Sequence, residues 1–249
     1  MQINCTIFCL VCIEIPSVHQ LYIFLKKIRF LRIQFDTEIE PYEIPAFRGA
    51  IAAKAGFEQV LFHNHQNDQK LLYHYPVIQY KRIGINPAIV CVDEGVDAIH
   101  RLFSDQVLRI YIGDRPIHLE VKSLKKLQFD LEVSKHSFTY RLYNWLALSQ
   151  ENYPRYQSIQ DDLERTDFLE NILTANILAF AKGVKWDVDR TIRLRIDEVL
   201  RIKQVPYKSQ RLMAFDLIFR TNVFLPDFIG LGKGVSLGFG TVSQLKDRN

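Results

Sequence analysis

Two imidazoles stand one residue apart, His63 and His65, in the stretch Leu61-Phe62-His63-Asn64-His65, and His74 follows between Tyr73 and Tyr75. An unperturbed imidazole titrates at roughly 6.5, so near neutral pH one ring can take a proton while another gives one. On an extended backbone, residues i and i+2 point to the same side, which would aim both rings at one reacting group. Tyr73 or Tyr75 adds a phenol that can donate to a leaving oxygen or orient a ring. Lys54 or Lys70 offers a positive charge to a transition state, with no motif to choose between them. The same letters also read as metal ligands: His63, His65 and His74, with Asp68 and Cys91 available, although no pair has zinc-finger spacing. Two polar rings at a strand end are the third reading.

A second chemistry-bearing stretch lies at the other end. Five of the eleven glycines, Gly230, Gly232, Gly234, Gly238 and Gly240, fall in IGLGKGVSLGFG. This is not a dinucleotide fingerprint, which must open a helix inside a βαβ unit. Nor is it a P-loop, because Gly234 follows Lys233 where Ser or Thr is needed, and Asp227 occupies the first glycine position. The expectation is a glycine-rich loop over 228–241 beside a strand. Its bare amides and Lys233 suit phosphate, and tight packing against a helix is the structural alternative.

The elements that position these residues can be read from periodicity. KKIRFLRIQFD is a strand in which Phe30 and the set Leu31, Ile33 and Phe35 mix the two faces. Pro41 and Pro45 mark a turn, and AFRGAIAAKAG is a short helix stopped by Gly56. FEQVLFH reads as a strand leading into the histidines, and VIQYKRI and AIVCV as strands. EGVDAIHRLF is helical through Val96, Ile99 and Phe103, and QVLRIYI closes as a strand. This is the split βαβ order of a ferredoxin-like domain.

A second unit is expected after Gly113. LQFDLEV alternates without error, and residues 158–182 form a helix capped at Ser158, with Asp161 three residues on. Its stripe is Leu169, Ile172, Leu173, Ile177 and Phe180, and Gly183 ends it. TIRLRIDEVLRIK and RLMAFDLIFRTNVF are long strands joined through VPYKSQ. The first puts Arg193, Arg195, Arg201 and Lys203 on one face, opposite Ile192, Leu194, Ile196, Leu200 and Ile202. Strand, helix and two strands indicate an α+β unit, a second and degenerate ferredoxin-like fold. The boundaries are therefore an apolar extension over 1–25, a first domain over 26–113 and a second over 114–249.

Composition supports two ordinary globular cores, with 48% hydrophobic and 24% charged residues. From Arg190 to Asn249 there are eleven Lys and Arg against five Asp and Glu, a net of +6 in a chain of net +4. The basic excess belongs to the C-terminal quarter, where a basic strand face beside a glycine-rich loop suits a nucleic-acid backbone. Cys5, Cys9 and Cys12 repeat the spacing of a radical-enzyme iron–sulfur site. The residues between them are Thr, Ile, Phe, Leu and Val, which favour free buried thiols, as for Cys91, in a reducing compartment. The first 25 residues lack the basic start of a signal peptide and are too broken by Glu14, Pro16, His19 and Gln20 to span a bilayer. They read as an extension from a start codon placed too early, and the cytoplasm, with no membrane contact, is the expected location.

Two ferredoxin-like units ending in GLGKGVSLGFGTV resemble the RAMP superfamily of RNA-binding proteins of CRISPR systems, and in particular the b-type branch of the Cas-six family of repeat-RNA processing endoribonucleases. The resemblance runs from about Lys26 to the C-terminus. It rests on IPAFRGAIAAK, LFHNH, YPVIQYKRI, the EGVDAI segment and the terminal loop. It implies metal-independent cutting of precursor RNA within repeats: a ribose 2′-OH attacks the phosphate, leaving a 2′,3′-cyclic phosphate and a 5′-OH. His65 would be the main catalytic residue, His63 its support, and Tyr73 or Tyr75 a helper, with no cofactor. Arg193, Arg195, Arg201, Lys203 and Lys233, with the loop glycines, would bind repeat RNA. Subunits of a CRISPR effector complex and a second copy of the chain are further partners compatible with the resemblance. A non-catalytic RNA-binding subunit and a metal hydrolase built on His63, His65 and His74 stay as alternatives.

Overall fold

The computed structural model describes residues 26–56, 61, 75–103 and 108–246. The extension over 1–25, with Cys5, Cys9 and Cys12, lies outside them, as do His63, His65, Tyr73 and His74.

Strand β1 (Lys26–Phe35) leads through a 3-10 turn into helix α1 (Ile44–Ala55). Pro45 falls in the first turn of α1, where its missing N–H costs no helical bond. Gly56, at φ +94°, ends the helix as expected. Strands β2 (Ile78–Ile83) and β3 (Asn86–Val92) form a hairpin, and α2 (Glu94–Ala98) runs into a 3-10 turn over Ile99–Phe103. Val96 and Ile99 are buried there, but Leu102 fills the core in place of the exposed Phe103. Leu61, the one described residue of the strand expected at FEQVLFH, is helical.

The strand expected to close the first sheet does not do so. β4 (Arg109–Ile112) pairs with β5 (Arg115–His118) in a two-stranded hairpin of its own. The edge of β1 is taken instead by β6 (Val121–Leu131), in register from Lys26 opposite Leu131 to Gln34 opposite Ser123 and, after a shift, with Phe35 opposite Val121. An eleven-residue strand satisfies nearly the whole edge of β1, whereas a four-residue strand leaves most of its N–H and C=O groups unpaired. LQFDLEV alternates as read, but it belongs to the first sheet. The expected boundary at 113–114 therefore moves to Glu132, a single residue between β6 and the next strand.

The second sheet contains β7 (Val133–Trp145), β8 (Leu194–Tyr207), β9 (Gln210–Val223) and β10 (Thr241–Leu245), with α3 (Asn152–Ser158) and α4 (Asp162–Gly183) after β7. The sheets are ordered β2-β3-β1-β6 and β10-β7-β9-β8. Each has its first strand between the fourth and third, which is the ferredoxin-like arrangement, twice. In the second unit the glycine-rich loop, with a 3-10 turn at Val235–Leu237, stands where the second helix of that fold would lie. The cap of the long helix also differs from expectation. Asp161 accepts from Glu164 N at 2.8 Å, while Ser158 ends α3 and donates to Arg155 O. An ionised carboxylate at the positive end of a helix is the stronger cap.

The two faces mixed along β1 are both core. Ile33 and Phe35, with Ile89, Cys91 and Tyr80, pack under Phe47 and Ile51 of α1. Ile28, Phe30, Val90 and Val92 turn the other way, into one cluster with Leu173, Ile177 and Phe180 of α4 and Leu217 and Phe219 of β9. Phe30, Phe129, Phe224 and Phe138 carry ring contacts from one sheet to the other, at 6.0, 5.0 and 5.7 Å between centroids. Each buried Val, Ile or Phe side chain contributes about 1.5–3 kcal/mol, so this shared core holds the domains in one arrangement.

Candidate nucleic-acid interface

The glycine-rich loop folds back on itself and on the end of β7. Leu231 N donates to Gly240 O at 2.8 Å, Gly240 N to Asn144 O at 3.1 Å, and Lys233 N to Leu146 O at 3.3 Å. These bonds demand close backbone approach. A Cβ on Gly240, at φ +60°, would lie 1.8 Å from Leu231 O. One on Gly230 would lie 2.6 Å from Val235 Cγ1 and 3.0 Å from Lys81 Nζ. Gly232, Gly234 and Gly238 lie against Trp145, Tyr207 and Ile44 respectively. Glycine density here answers packing, against strands and aromatic rings and, at Gly238 and Gly232, against Ile44 of α1 and Asn176 of α4.

Strand β2 of the first domain holds this loop. Gln79, the second residue of β2, is fully buried, where an unpaired amide would cost about 1–3 kcal/mol. Its Oε1 accepts from Gly230 N at 2.9 Å, and its Nε2 donates to Tyr75 Oη at 2.8 Å and Pro76 O at 3.0 Å. Tyr75 Oη in turn donates to Gly230 O at 2.9 Å. Both polar groups of Gly230 are thus clasped by the first domain. The Tyr75 ring packs edge-on against Phe180, and desolvation pushes its phenol well above the ordinary range.

Two residues further along β2, Lys81 Nζ donates to Val235 O and to Thr241 Oγ1, both at 3.3 Å. Lys81 is 1% exposed, and burial pulls its ammonium down from 10.5 to about 7. Neither Gln79 nor Lys81 was singled out from sequence. The available signal was two long polar side chains, at 79 and 81, sharing one face of a strand otherwise rich in apolar residues.

Three of the four expected cations, Arg195, Arg201 and Lys203, lie on β8 and share a face, but not for the simple reason of alternation; Arg193 precedes the strand. Register shifts fall between Ile196 and Glu198 and again between Val199 and Arg201. Each shift reverses the facing of the strand, and the second cancels the first. Val199 and Ile202 therefore face as Ile196 does, while Arg195, Arg201 and Lys203 stay together opposite Arg220, Asp216 and Ala214. Leu200, expected on the apolar face, falls at the second shift.

Local partners divide these cations. Lys203 pairs with Asp216 at 2.8 Å, Arg195 approaches Glu170 at 3.9 Å, and the neighbouring Arg220 is held by Asp197. Among the described residues, Arg193 and Arg201 have no side-chain partner. Arg193, Arg195, Arg220 and Lys135 border an open cleft of about 830 Å³ that contains no aromatic side chain. The far end of β8 reaches the loop: Tyr207 meets Phe239 at 5.6 Å and Lys233 Nζ at 5.2 Å. Arg220 and Met213, opposite Arg195 and Gln204, are seven residues apart along β9. At about 3.3 Å per residue that is roughly 23 Å, so Arg193 and Arg195 are remote from the loop while Lys203 is near it.

His63, His65 and Tyr73, the catalytic expectations, lie outside the described residues, as do His74, Asp68 and Lys70. Tyr75 is described and is joined to the loop, not to β8. Among the described residues no three His, Cys, Asp or Glu side chains are grouped to hold a metal. Cys91 is a free thiol, fully buried, and burial pushes it up out of its ordinary range. Among the described residues no helix is long and apolar enough to cross a membrane.

Comparison with known proteins matches this architecture along nearly its whole length. A crystal structure described as Cas6b superposes with a TM-score of 0.80, at 26% identity, over 88% of this chain and all of that one. A second, of "CRISPR RNA processing endoribonuclease Cas6b", superposes at 0.68 over the same shares of each chain; at 23% identity it speaks for the fold. An uncharacterized protein of Methanocaldococcus jannaschii, MJ0978, is 28% identical over 133 residues, 53% of this chain and 89% of its own. The family described as Cas6b N-terminal domain matches residues 26–130, and that described as Cas6b C-terminal domain matches residues 132–245. These bounds meet where β6 passes into β7, and the chain belongs to the Cas6b family.

Proposed function

We propose that this protein is a metal-independent endoribonuclease that cuts CRISPR precursor RNA within its repeats. The observation that carries the reading is the family match across both domains, which includes the loop and the β2 residues that hold it. The second solved relative, described as an endoribonuclease, shares the fold.

In this reading the ribose 2′-oxygen attacks the adjacent phosphorus. The 2′-O–P bond forms and the P–O5′ bond breaks. One imidazole of the His63 and His65 pair takes the 2′-OH proton, and the other returns a proton to the departing 5′-oxygen. The products are a 2′,3′-cyclic phosphate and a 5′-OH. Tyr73 stays as a helper to the pair. Both hydrogen bonds of the Tyr75 hydroxyl are spent inside the protein, so we assign Tyr75 to positioning the loop instead of to proton transfer. Arg193, Arg195 and Arg201 contact the RNA backbone. Lys233 and the half-buried part of the loop contact it near the domain junction.

The test is repeat RNA from the source organism incubated with the protein in excess chelator, beside His63→Ala and His65→Ala. Cleavage should persist in chelator, fall at least a hundredfold in His65→Ala, and fail on RNA with a 2′-deoxy at the cut site, given the roughly 10²–10⁴-fold worth of a positioned acid or base. Loss of activity in chelator, restored by a divalent ion, would return the metal reading on His63, His65 and His74. RNA bound but uncut by the wild type would make the protein a binding subunit.

A further inference from the structure

The tip of the β8–β9 hairpin lies beside the segment from the end of β7 to α3, and the two enclose a pocket of about 260 Å³. Its lining combines three kinds of chemistry. Leu148, 6% exposed, gives an apolar floor, and Tyr153, 41% exposed, gives an accessible aromatic ring. Gln204 and Gln210 supply amide donors and acceptors, and Arg211 and Lys233 supply positive charge. The hairpin around it is cationic, with Lys203 alone paired among the described residues, to Asp216. From Val199 to Ala214 it carries Arg201, Lys203, Lys208 and Arg211 and no carboxylate. The ammonium groups of Lys208 and Lys233 both sit over the Tyr207 ring, at 5.9 and 5.2 Å, and among the described residues neither has an acidic partner.

We infer that this pocket takes one unstacked nucleotide of a bound RNA strand. The base lies against Tyr153 and Leu148, the amides of Gln204 and Gln210 meet its polar edge, and Arg211 and Lys233 hold the flanking phosphates. Aromatic faces accept any base by stacking, while paired donors and acceptors discriminate its edge. At about 260 Å³ the pocket lies just under the roughly 300 Å³ at which ligand pockets begin, which leaves room for a single base and none for a duplex. The wider cleft beside Arg193 and Arg195 has charge but no aromatic side chain, which suits a backbone track and not a base. The inference rests on the RNA-binding reading above and adds a base-reading subsite to it.

The test uses the full chain and repeat RNA in which 2-aminopurine replaces one position at a time. Binding is followed by anisotropy and base environment by 2-aminopurine emission. One position should change emission on binding the wild type. Tyr153→Ala should abolish that change and weaken binding roughly tenfold, while Tyr153→Phe, which keeps the ring, preserves both. Should Tyr153→Ala fail to fold, as judged by circular dichroism, Gln210→Ala and Arg211→Ala at the exposed hairpin tip should reduce the same signal at the same position. RNA bound normally with every emission change indifferent to these substitutions would overturn the pocket while leaving the endoribonuclease reading intact. No RNA binding by the wild type would overturn that reading itself.

Discussion

Gln79 and Gly230, 151 residues apart in sequence, are joined by a buried hydrogen bond of 2.9 Å from the glycine amide to the glutamine Oε1. The bond ties a strand of the first domain to the loop of the second. Because Gln79 also donates to Tyr75, which donates back to Gly230 O, the three groups form one closed circuit.

Removing one member of that circuit leaves another buried group unpaired. Gln79→Ala should lower stability by about 1–3 kcal/mol, read as the midpoint of denaturant unfolding. Tyr75→Phe deletes only the hydroxyl and should cost about 1 kcal/mol. Coupling between the two substitutions in a double-mutant cycle checks that they act through one network.

Lys81 makes stability depend on pH in a defined direction. Its folded ammonium titrates at about 7, below the 10.5 of a free side chain. Between those values the unfolded chain binds more protons than the folded one, so this group's contribution rises with pH through that window. Below about 7 both states are protonated and the contribution is flat. Melting temperature measured across that range should climb more steeply in the wild type than in Lys81→Met, and equal slopes would refute the assignment.

Two glycines should respond oppositely to alanine. Gly240→Ala forces a Cβ against Leu231 O and should unfold the loop, read as a large fall in melting temperature or in soluble yield. Gly49 lies on the exposed side of α1, and a methyl group added there would meet nothing within 4 Å. Gly49→Ala should stabilise by about 0.5–1 kcal/mol through helix propensity.

The cations on and just before β8 should separate by salt dependence. Arg193→Ala should weaken RNA binding for all sequences alike and lower the slope of log affinity against log salt by about 1. Lys203→Ala should also destabilise the fold, because it strips the partner from Asp216, a buried carboxylate that accepts from Asn144 N. Thermal melting without RNA distinguishes the two.

The cap of the long helix gives a local check. Asp161→Ala should cost about 1 kcal/mol, and Ser158→Ala close to nothing, in thermal unfolding.

Much of the architecture was legible because period and punctuation are local. The chain alone specified the strand at β1, the helix ending at Gly56, the β2, β3, β8 and β9 strands, the stripe of α4 and the family resemblance carried by the terminal loop. It missed β7, although Phe138, Tyr140 and Leu142 alternate there with Thr139, Arg141 and Tyr143. It placed β6 in the wrong sheet, because alternation reveals a strand and its buried face but not which edge it pairs with. That choice was made by the long pairing with β1, unbroken from Lys26 to Gln34.

Tertiary structure alone decided what the glycines are for and what Tyr75 does. Gly230 and Tyr75 take their roles from contacts across the domain junction, between atoms some 150 residues apart, and Gly240 from Leu231 within the loop, at distances where a single Cβ or hydroxyl matters. A residue's type and spacing state which interactions are available to it. Only the folded chain brings the partner within reach and removes the water, and desolvation is what turns Gln79, Tyr75 and Lys81 from polar side chains into the fastening of the loop.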